Sequence, residues 1–253
     1  MIPQKTFDEL IDEALTLPFS GWDFSFLSDR WKTTQPCWDY PSLAREHMQG
    51  INSMLDQDTG GGEILSSLVP FPPHTWASEN YSPNIPVAKQ RLQPLGVQLI
   101  SNYTISSYPL PSSSLDLVLN RHGGYSEAEL YRLLKPGGFF LTQQVGGRNC
   151  IHLNELLQDN VEFKYSYWTK DLITRKLNDA GFNLLIVKED FPPVEFLDIG
   201  VVVFYLRIIS WQVEDFTVEK YREKLLAIHQ DILAHGPLKM SEHRILVEAR
   251  KPG

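Results

Sequence analysis

The sequence predicts an α/β protein in which a mostly parallel, doubly wound sheet carries helices on both faces. Short apolar runs alternate with helical patterns along the middle of the chain, and strands separated by helices require right-handed crossovers that leave neighbouring strands parallel. Capping and turn residues also stand at the boundaries of these patterns. With 253 residues, the chain is long enough for one domain with embellishments.

The chain is predicted to begin with a helix and an aromatic segment. Thr6 and Glu9 have the spacing of a capping box, and apolar residues then recur on one helical face: Phe7, Leu10, Ile11, Ala14 and Leu15. The next segment, Gly21 to Tyr40, has no clear period and is rich in aromatic residues: Trp22, Phe24, Phe26, Trp31, Trp38 and Tyr40. We interpret it as a packed N-terminal extension.

The alternating elements follow in order. Strands are predicted near Ile51–Leu55, Thr75–Ala77, Val97–Ile100, Leu115–Leu119 and Phe139–Gln143, and helices near Gly61–Leu68, Pro86–Leu95 and Glu127–Leu134. Ser126 and Glu129 form a second capping box, and Gly96 stands where a C-cap glycine belongs. Lys135, which begins "KPGG", is expected to place a cation against the negative end of the preceding helix.

The last third contains a helix, "WTKDLITRKLNDAGF", and two strands, "NLLIVKED" and "HRILVEARKP". Between those strands, Phe191 to Glu242 is too long for an ordinary connection. It is predicted to carry an apolar helix at Ile199–Ser210 and an amphipathic one whose apolar face is Val218, Tyr221, Leu225, Ile228 and Ile232. We therefore divide the chain into an N-terminal extension, residues 1–50, and a main domain, residues 51–253, with a helical insertion at about 191–242.

The composition favours a small-molecule substrate. The net charge of -8 gives no diffuse positive field, so a nucleic-acid partner is not expected. Cys37 and Cys150 lack metal-ligand spacing, the histidines are scattered, and neither a metal site nor a disulfide framework is predicted. The N-terminus is not a signal peptide and no apolar run reaches membrane length, so a cytoplasmic location is expected.

The stretch "NSMLDQDTGGGEILSSL", Asn52 to Leu68, has the pattern of a nucleotide-binding turn. An apolar run ends at Asp56, three glycines follow, and a helix begins; such a turn lets the backbone approach a ligand. About twenty residues later a second strand ends at Glu79, where a carboxylate can accept hydrogen bonds from ribose hydroxyls. A nicotinamide dehydrogenase has both features, so they leave the cofactor open.

Four segments, in their order and spacing, resemble class I S-adenosylmethionine-dependent methyltransferases, the group that includes the ubiquinone-biosynthesis type: "MLDQDTGGGE", "ASENY", "YPLPSSSLDLVLNRHGGY" and "LLKPGGFFLTQQ". The resemblance covers Asn52 to Gly147 and favours a methyltransferase over a dehydrogenase. It implies a Rossmann-like, seven-stranded sheet whose last strand runs antiparallel. It also implies S-adenosyl-L-methionine as cofactor and S-adenosyl-L-homocysteine as product.

The resemblance assigns cofactor residues by position. Asp56 and the loop containing Asp58, Gly60, Gly61 and Gly62 are implied to line the methionine part, Glu79 to hold the ribose, and Asn80, Thr104, Ile105 and Asn120 to make further contacts. Family members usually have glycine where this chain has Asp58, and an aspartate near the adenine where it has Thr104 and Ile105. We expect Asp58 to repel the cofactor carboxylate, so that Asp58→Gly tightens binding. We expect the Thr104 hydroxyl or the Ile105 backbone to replace the missing contact at lower affinity.

His122, in "LNRHGG", is the candidate catalytic residue. It follows a parallel strand, where open α/β sheets bind substrate, and it could accept a proton before methyl transfer. A loop histidine without chemistry explains it equally well. Arg121 either binds an anionic substrate group or forms a surface ion pair, the simpler expectation. Gln143 and Gln144 either orient a substrate or only end their strand.

The sequence thus predicts an enzyme, an S-adenosylmethionine-dependent methyltransferase with a small-molecule acceptor. Two alternatives stay open: an RNA methyltransferase, which the acidic balance disfavours, and a non-catalytic protein that binds the cofactor through a degenerate turn. The insertion is expected to cover the acceptor pocket. Its residues Phe204, Tyr205 and Trp211 either face the acceptor or anchor the helices to the core. No oligomeric state is predicted.

Overall fold

The computed structural model describes residues 5–19 and 24–253, and these ranges contain ten strands and nine α-helices. The strands are β1 (Trp31–Thr33), β2 (Ser53–Gln57), β3 (His74–Ser78), β4 (Gln98–Ile100), β5 (Leu115–Arg121), β6 (Leu134–Val145), β7 (Asn183–Asp190), β8 (Pro193–Phe196), β9 (Leu238–Ser241) and β10 (Arg244–Arg250). The helices are α1 (Phe7–Thr16), α2 (Tyr40–His47), α3 (Glu63–Ser66), α4 (Asn84–Leu92), α5 (Glu127–Leu133), α6 (Ile151–Leu157), α7 (Lys170–Asp179), α8 (Ile199–Ile208) and α9 (Val218–His235). Trp22 lies outside the described residues.

The main sheet has seven strands in the order β4-β3-β2-β5-β6-β10-β7. The β2, β3, β4, β5 and β6 strands pair in parallel, whereas β10 is antiparallel to both of its neighbours. The fold class is therefore confirmed, including the antiparallel last strand. Because β10 runs in the opposite direction, its first residue, Arg244, lies at the edge where the parallel strands end.

Helices pack on both faces of this sheet, as predicted. On one face, α2, α3 and α4 contribute apolar side chains such as Ala44, Leu65 and Leu92 to a core with Met54 and Leu119. On the other face, α5 and α7 contribute a second group of buried residues: Leu130, Leu133, Ile173 and Leu177. The sheet is buried on both sides, which explains why its central strands read as nearly continuous apolar runs.

Helix ends follow the predicted signals, with two corrections. The second capping box is incomplete: Ser126 accepts the Glu129 N–H at 3.4 Å, but the Glu129 carboxylate accepts from the Tyr108 N–H and Arg132 instead of the Ser126 N–H. Glu9 and Thr6 form the reciprocal capping box, and Gly96 has a φ of 81° at the end of the turn after α4. The prediction for Lys135 was wrong, because its ammonium group lies 2.8 Å from the Asp116 carboxylate. Instead, Lys251 Nζ donates to the Tyr131 and Leu134 carbonyls at 2.7 and 2.8 Å. A distant cation therefore compensates the negative end of α5.

The N-terminal segment and the insertion share a third core. The β1, β8 and β9 strands form a three-stranded sheet, and α1, α6, α8 and α9 contribute most of the surrounding apolar side chains. Arg30 joins the two segments through a bidentate contact with Asp198, at 2.6 and 2.7 Å. Both predicted helices of the insertion are present, and the predicted apolar face of α9 is buried.

The three aromatic residues predicted in the insertion have different positions. Phe204 and Tyr205 are almost fully buried in the third core. Phe204 contacts the Phe26 ring, and the Tyr205 hydroxyl donates to Gln212 at 3.1 Å. Trp211 is 36% exposed. The structure therefore supports the anchoring interpretation for Phe204 and Tyr205.

Of the helices in the two described ranges, none combines the length and apolar character that a membrane span needs.

Candidate active site

The candidate site lies where the parallel strands end. Asp56 is the penultimate residue of β2, and Glu79 directly follows β3. Arg121 ends β5, and Gln143 is near the end of β6. Arg121 and Gln143 are register partners across β5 and β6. In open α/β sheets, the crevice at this edge is where ligands bind.

The glycine turn between β2 and α3 is a close-packed structure. Gly60 and Gly62 have φ values of 65° and 80°, in the left-handed region that favours glycine. The Thr59 N–H donates to the Ser78 carbonyl at 2.8 Å, which fixes the turn against β3. A Cβ atom at Gly62 would lie 2.8 Å from the Leu92 side chain, so only glycine lets the turn approach α4.

Asp58 stabilises this turn through its side chain. Its φ is 52°, which Asp tolerates better than most residues. Its Oδ2 accepts the Gly124 N–H at 3.0 Å, and its Oδ1 accepts the Tyr103 hydroxyl. Burial raises the pKa of Asp58, while these two hydrogen bonds oppose the shift. The carboxylate therefore connects the glycine turn to two other loops.

Glu79 is a buried carboxylate beside the same turn. Its Oε1 accepts the Tyr81 N–H at 2.7 Å, and its Oε2 accepts the Asn84 amide at 3.3 Å. Burial raises the pKa of Glu79, and these bonds oppose the shift. A carboxylate has about four acceptor positions, so both oxygens keep capacity for further donors.

Asp56 completes a group of three carboxylates with Asp58 and Glu79. Burial and, to a smaller extent, the neighbouring Asp58 charge raise the pKa of Asp56 to about 7, against the opposing effects of the Thr59 hydroxyl and the Arg121 charge. Within the described ranges, none of the three forms an ion pair with Lys, Arg or His. Asp56 and Glu79 are buried and Asp58 is half-buried. Buried carboxylates without an ion pair are costly, and the site is therefore complementary to a cation.

The other predicted cofactor residues occupy two environments. Asn80, Thr104 and Ile105 are exposed at the rim, and Ile105 lies near Gly124, the residue that Asp58 binds. Thr104 exchanges backbone hydrogen bonds with Ser107, which shapes this loop.

Asn120, by contrast, is fully buried. Its Oδ1 accepts Gln144 Nε2 at 2.7 Å and the Thr142 hydroxyl at 3.2 Å. Its Nδ2 lies 3.5 Å from Gln57 Oε1. The Asn120 side chain is therefore used within the protein, which leaves only its backbone for a cofactor contact.

A hydrogen-bond chain fixes the state of His122. The Trp38 indole N–H donates to Gln143 Oε1 at 2.8 Å, and Gln143 Nε2 lies 3.0 Å from His122 Nε2. Because an indole is only a donor, it determines the orientation of the Gln143 amide. The amide nitrogen must then donate to His122 Nε2, so the neutral ring carries its proton on Nδ1.

His122 lies in a recess, where solvent reaches its surface but protein atoms closely surround it. Burial lowers the pKa of His122, and the Arg121 and Arg244 charges lower it further. The ring is therefore neutral near pH 7. Its Nε2 lone pair is occupied, so this arrangement offers a donor at Nδ1 and does not fit the predicted role as a proton acceptor.

Arg121 lines the same recess. It was expected to form a surface ion pair, but no such pair or side-chain hydrogen bond occurs within residues 5–19 and 24–253. Burial lowers the pKa of Arg121, against the effect of the nearby Tyr40, Glu242 and Asp56 side chains. The ion-pair expectation was wrong, and the guanidinium remains available to a ligand.

Sequence reasoning missed several residues of the site. Trp38 was recognised only as part of an aromatic segment, and Tyr103, Glu242 and Arg244 were not identified. Arg244 begins β10, so its location at this edge follows from the antiparallel direction of that strand. The position of Trp38 two residues before α2 carried no signal for its contact with Gln143. No group of three or more potential metal ligands occurs in the described part of the chain.

Comparisons with known proteins are consistent with this geometry. No protein-family model matches the sequence, and no curated protein matches it either. The structure is similar to a protein from Bacillus halodurans C-125 that is provisionally assigned as a methyltransferase, with 20% identity, 85% of this chain and 99% of that chain covered, and a TM-score of 0.60. It is also similar to the YcgJ protein from Bacillus subtilis, with 17% identity, 85% and 98% coverage and a TM-score of 0.57.

A third similar structure is the cyclase SpnF, with 16% identity, 84% of this chain and 80% of that chain covered, and a TM-score of 0.51. Together with the strand order, these likenesses define the class I methyltransferase fold that the resemblance implied. At such identities the likeness shows the fold alone. One fold can carry different reactions, so the function must be argued from the site.

Proposed function

We propose that this protein is an S-adenosylmethionine-dependent methyltransferase that acts on a small-molecule acceptor. The observation that carries the proposal is the group of three carboxylates around the glycine turn, of which Asp56 and Glu79 are buried and Asp58 is half-buried. Asp56, Asp58 and Glu79 have raised pKa values and no cationic partner within the described ranges. A bound cation would relieve this unfavourable state.

The charge of the ligand separates the two candidate cofactors. S-Adenosylmethionine carries a sulfonium and an ammonium group against one carboxylate, so its net charge is positive. A nicotinamide dinucleotide would instead bring a diphosphate towards carboxylates that already lack cations. Close approach of like charges is unfavourable in a partly buried site, which supports the methyl donor.

The residues present fit the proposed cofactor. Glu79 has acceptor capacity for ribose hydroxyls, Asp56 is placed to compensate the ammonium group, and the backbone of Gly60 and Gly61 lines the turn. Asn80 and Ile105 provide a rim for the adenine, as the resemblance implies. When bound, the sulfonium supplies an electrophilic methyl group, and the C–S electron pair remains on sulfur.

The acceptor would lie over the ends of β5 and β6, beside the cofactor. There, Gln143 holds the His122 ring so that its Nδ1 proton is directed to a ligand rather than to Gln143. Such a donor can orient an acceptor. Displacement at a sulfonium depends largely on alignment and desolvation, so the reaction does not require His122 to accept a proton. The negative net charge of the chain supports a small molecule over RNA.

Calorimetric titration tests the cofactor. We expect S-adenosylmethionine and S-adenosylhomocysteine to bind and NAD not to bind. Binding of NAD, without binding of either S-adenosyl compound, would contradict the proposal. Incubation with isotopically labelled S-adenosylmethionine and a metabolite extract should then yield a labelled small molecule, detected by mass spectrometry, while an RNA fraction should remain unlabelled.

One observation favours a second candidate, a cofactor-binding protein without turnover. Asp58 replaces the usual glycine, and its carboxylate bridges the turn to Gly124 and Tyr103. These contacts could hold the turn in a form that binds the cofactor without aligning an acceptor. Cofactor binding without label in any acceptor fraction would support this candidate. A cytoplasmic location stays a prediction.

A further inference from the structure

A recess beside the proposed cofactor site contains hydrogen-bond donors that the fold does not use. Arg121 forms no ion pair or side-chain hydrogen bond in the described part of the chain. The Tyr40 hydroxyl is buried beside the Asn120 backbone, but no group of the described residues meets the geometry of a hydrogen bond to it. Arg121 is the register partner of Gln143, and Gln143 accepts from Trp38, two residues before Tyr40, so both side chains lie at the same edge of the sheet. Buried polar groups usually have partners, so the buried Tyr40 hydroxyl indicates a ligand, and the exposed Arg121 guanidinium is accessible to the same ligand.

His122 adds a third donor to the recess. The contacts of Trp38 and Gln143 determine that its Nε2 accepts and that its Nδ1 carries a proton. His122 is adjacent to Arg121 at the end of β5. A planar guanidinium, a phenol and an imidazole N–H together match an oxyanion, because each can donate to it.

Arg121 and Arg244, the two arginines at this edge of the sheet, differ in their ion pairs. Arg244 lies 2.6 Å from Glu242, which compensates it. Asn149 Oδ1 accepts from the same guanidinium at 2.6 Å and holds it in place. Arg121 forms no ion pair of this kind, although the Glu242 and Asp56 carboxylates influence its ionisation. A carboxylate or phosphate would supply the missing charge, and arginine binds both through two parallel hydrogen bonds.

The recess belongs to the acceptor side rather than to the cofactor side. The Glu242 and Asp56 carboxylates both act on Arg121, and the effect of Glu242 is the larger. Arg121 is also the register partner of Gln143 on β6, the neighbour of β5 on the side away from β2 and the glycine turn. The methionine part of the cofactor is proposed to lie at that turn, beside Asp56.

We propose that the methyl acceptor carries an anionic group, a carboxylate or a phosphate, and that Arg121 binds this group with the help of Tyr40 and His122. The inference rests on the proposed methyltransferase function, because it assigns the recess to that enzyme's acceptor. It predicts that the acceptor's charge, rather than its apolar part, determines binding at this end of the site.

The test uses three probes with the same ring: para-fluorobenzoate, para-fluorophenyl phosphate and neutral para-fluorobenzamide. Fluorine NMR measures their affinity for the protein saturated with S-adenosylhomocysteine. At least one anion should bind about tenfold or more tightly than the amide, and the stronger of the two distinguishes carboxylate from phosphate. Equal affinity of all three probes would overturn the proposal.

Variants locate the site. Arg121→Gln should weaken binding of the anion about tenfold or more and leave the amide unchanged. Arg175→Gln is the matched control, because Arg175 is exposed on α7; it should change neither. Tyr40→Phe removes a hydroxyl without a partner, so it should weaken anion binding severalfold without lowering the melting temperature. Unchanged anion affinity in both recess variants would contradict the assignment.

The cofactor carboxylate is the competing anion. S-Adenosylhomocysteine and methylthioadenosine, which lacks the amino-acid part, are therefore titrated into wild type and Arg121→Gln. If the variant loses affinity only for S-adenosylhomocysteine and the anionic probes do not bind, Arg121 holds the cofactor and the proposal is overturned. If wild type binds neither nucleoside but binds the anions through Arg121, the proposed function fails while the anion site is supported.

Discussion

Glu79 brings a buried carboxylate beside the glycine turn, with acceptor capacity beyond its contacts to Tyr81 and Asn84. We expect Glu79→Ala to weaken S-adenosylhomocysteine binding by about 1.5–3 kcal/mol, the range for losing hydrogen bonds to a charged group. Glu79→Gln keeps an acceptor for the Tyr81 N–H and should lose less. Calorimetry measures both affinities, with melting curves as the folding control. Wild-type affinity in a folded Glu79→Ala protein would remove this residue from the ribose contact.

Asp58 has two opposing effects on stability. Its left-handed backbone costs about 1 kcal/mol relative to glycine, whereas each hydrogen bond to its charged carboxylate contributes about 1.5–3 kcal/mol. Burying the carboxylate removes part of that contribution, but the two bonds, to Gly124 and Tyr103, still outweigh the strain. We therefore expect Asp58→Gly to lower the free energy of unfolding by about 1–3 kcal/mol in urea denaturation.

Ser113 provides the matched control for Asp58. It has the same φ of 52° in an exposed turn, so Ser113→Gly relieves the strain without removing a carboxylate. Its stability should remain unchanged or rise by up to about 1 kcal/mol. A fall for both variants would assign the Asp58 effect to the backbone. Tighter cofactor binding by Asp58→Gly stays a prediction, and calorimetry on the same variant tests it.

At the scale of single elements, the C-terminal end of α5 is stabilised by a residue from the far end of the chain. Lys251 is buried and donates to two carbonyls at the C-terminal end of this helix. We expect Lys251→Met to lower the free energy of unfolding by about 1–3 kcal/mol, because buried carbonyls lose a charged donor. Lys89 lies exposed in the last turn of α4, and Lys89→Met should change stability by less than about 0.5 kcal/mol. Equal losses would exclude the specific contribution of Lys251.

The insertion elements α8 and α9 form a core of their own with the N-terminal segment, and Phe204 is buried in it. We expect Phe204→Leu to lower the free energy of unfolding by about 1–2 kcal/mol, because the smaller side chain leaves a void. Cofactor affinity and methyl transfer per folded molecule should not change. Trp211→Leu tests the exposed end of the segment by the same two assays. Lost activity at full stability in either variant would restore the idea that this residue faces the acceptor.

At the scale of the whole molecule, local sequence signals predicted the sheet because strands and helices differ in hydrophobic period. The same signals located Asp56, Glu79 and His122 at strand ends. They failed where a contact joins distant segments: Trp38 to Gln143, or Lys251 to α5. They also missed the compensation of Arg244 by Glu242, since ionisation and pairing depend on side-chain positions that only the tertiary structure defines.

The raised pKa of Asp56 makes stability depend on pH. In the unfolded chain this carboxyl group ionises near 3.8, whereas in the folded protein it does so at about 7. The folded state therefore retains a proton that the unfolded state releases, and its stabilising contribution is lost as pH rises from about 4 to 7. Asp56→Asn lacks this group. We expect the variant to match wild type most closely near pH 4 and to exceed it by about 3–5 kcal/mol at pH 8.

Asp116→Asn is a control in which the effect on stability at high pH has the opposite sign. Burial alone would raise the pKa of Asp116, but Lys135 and Ser53 lower it, so Asp116→Asn should destabilise the protein at pH 8. Urea denaturation across this range measures the stability of both variants.

Cofactor binding should depend on pH through the same Asp56 carboxyl group. A cation beside ionised Asp56 would offset the free-energy cost of its buried charge. S-Adenosylhomocysteine should therefore bind wild type more tightly as pH rises through 7 and should release a proton near pH 6. Calorimetry in buffers of different ionisation enthalpy detects that proton. Binding heats that are identical in all buffers would show that the Asp56 carboxylate does not hold the ammonium group.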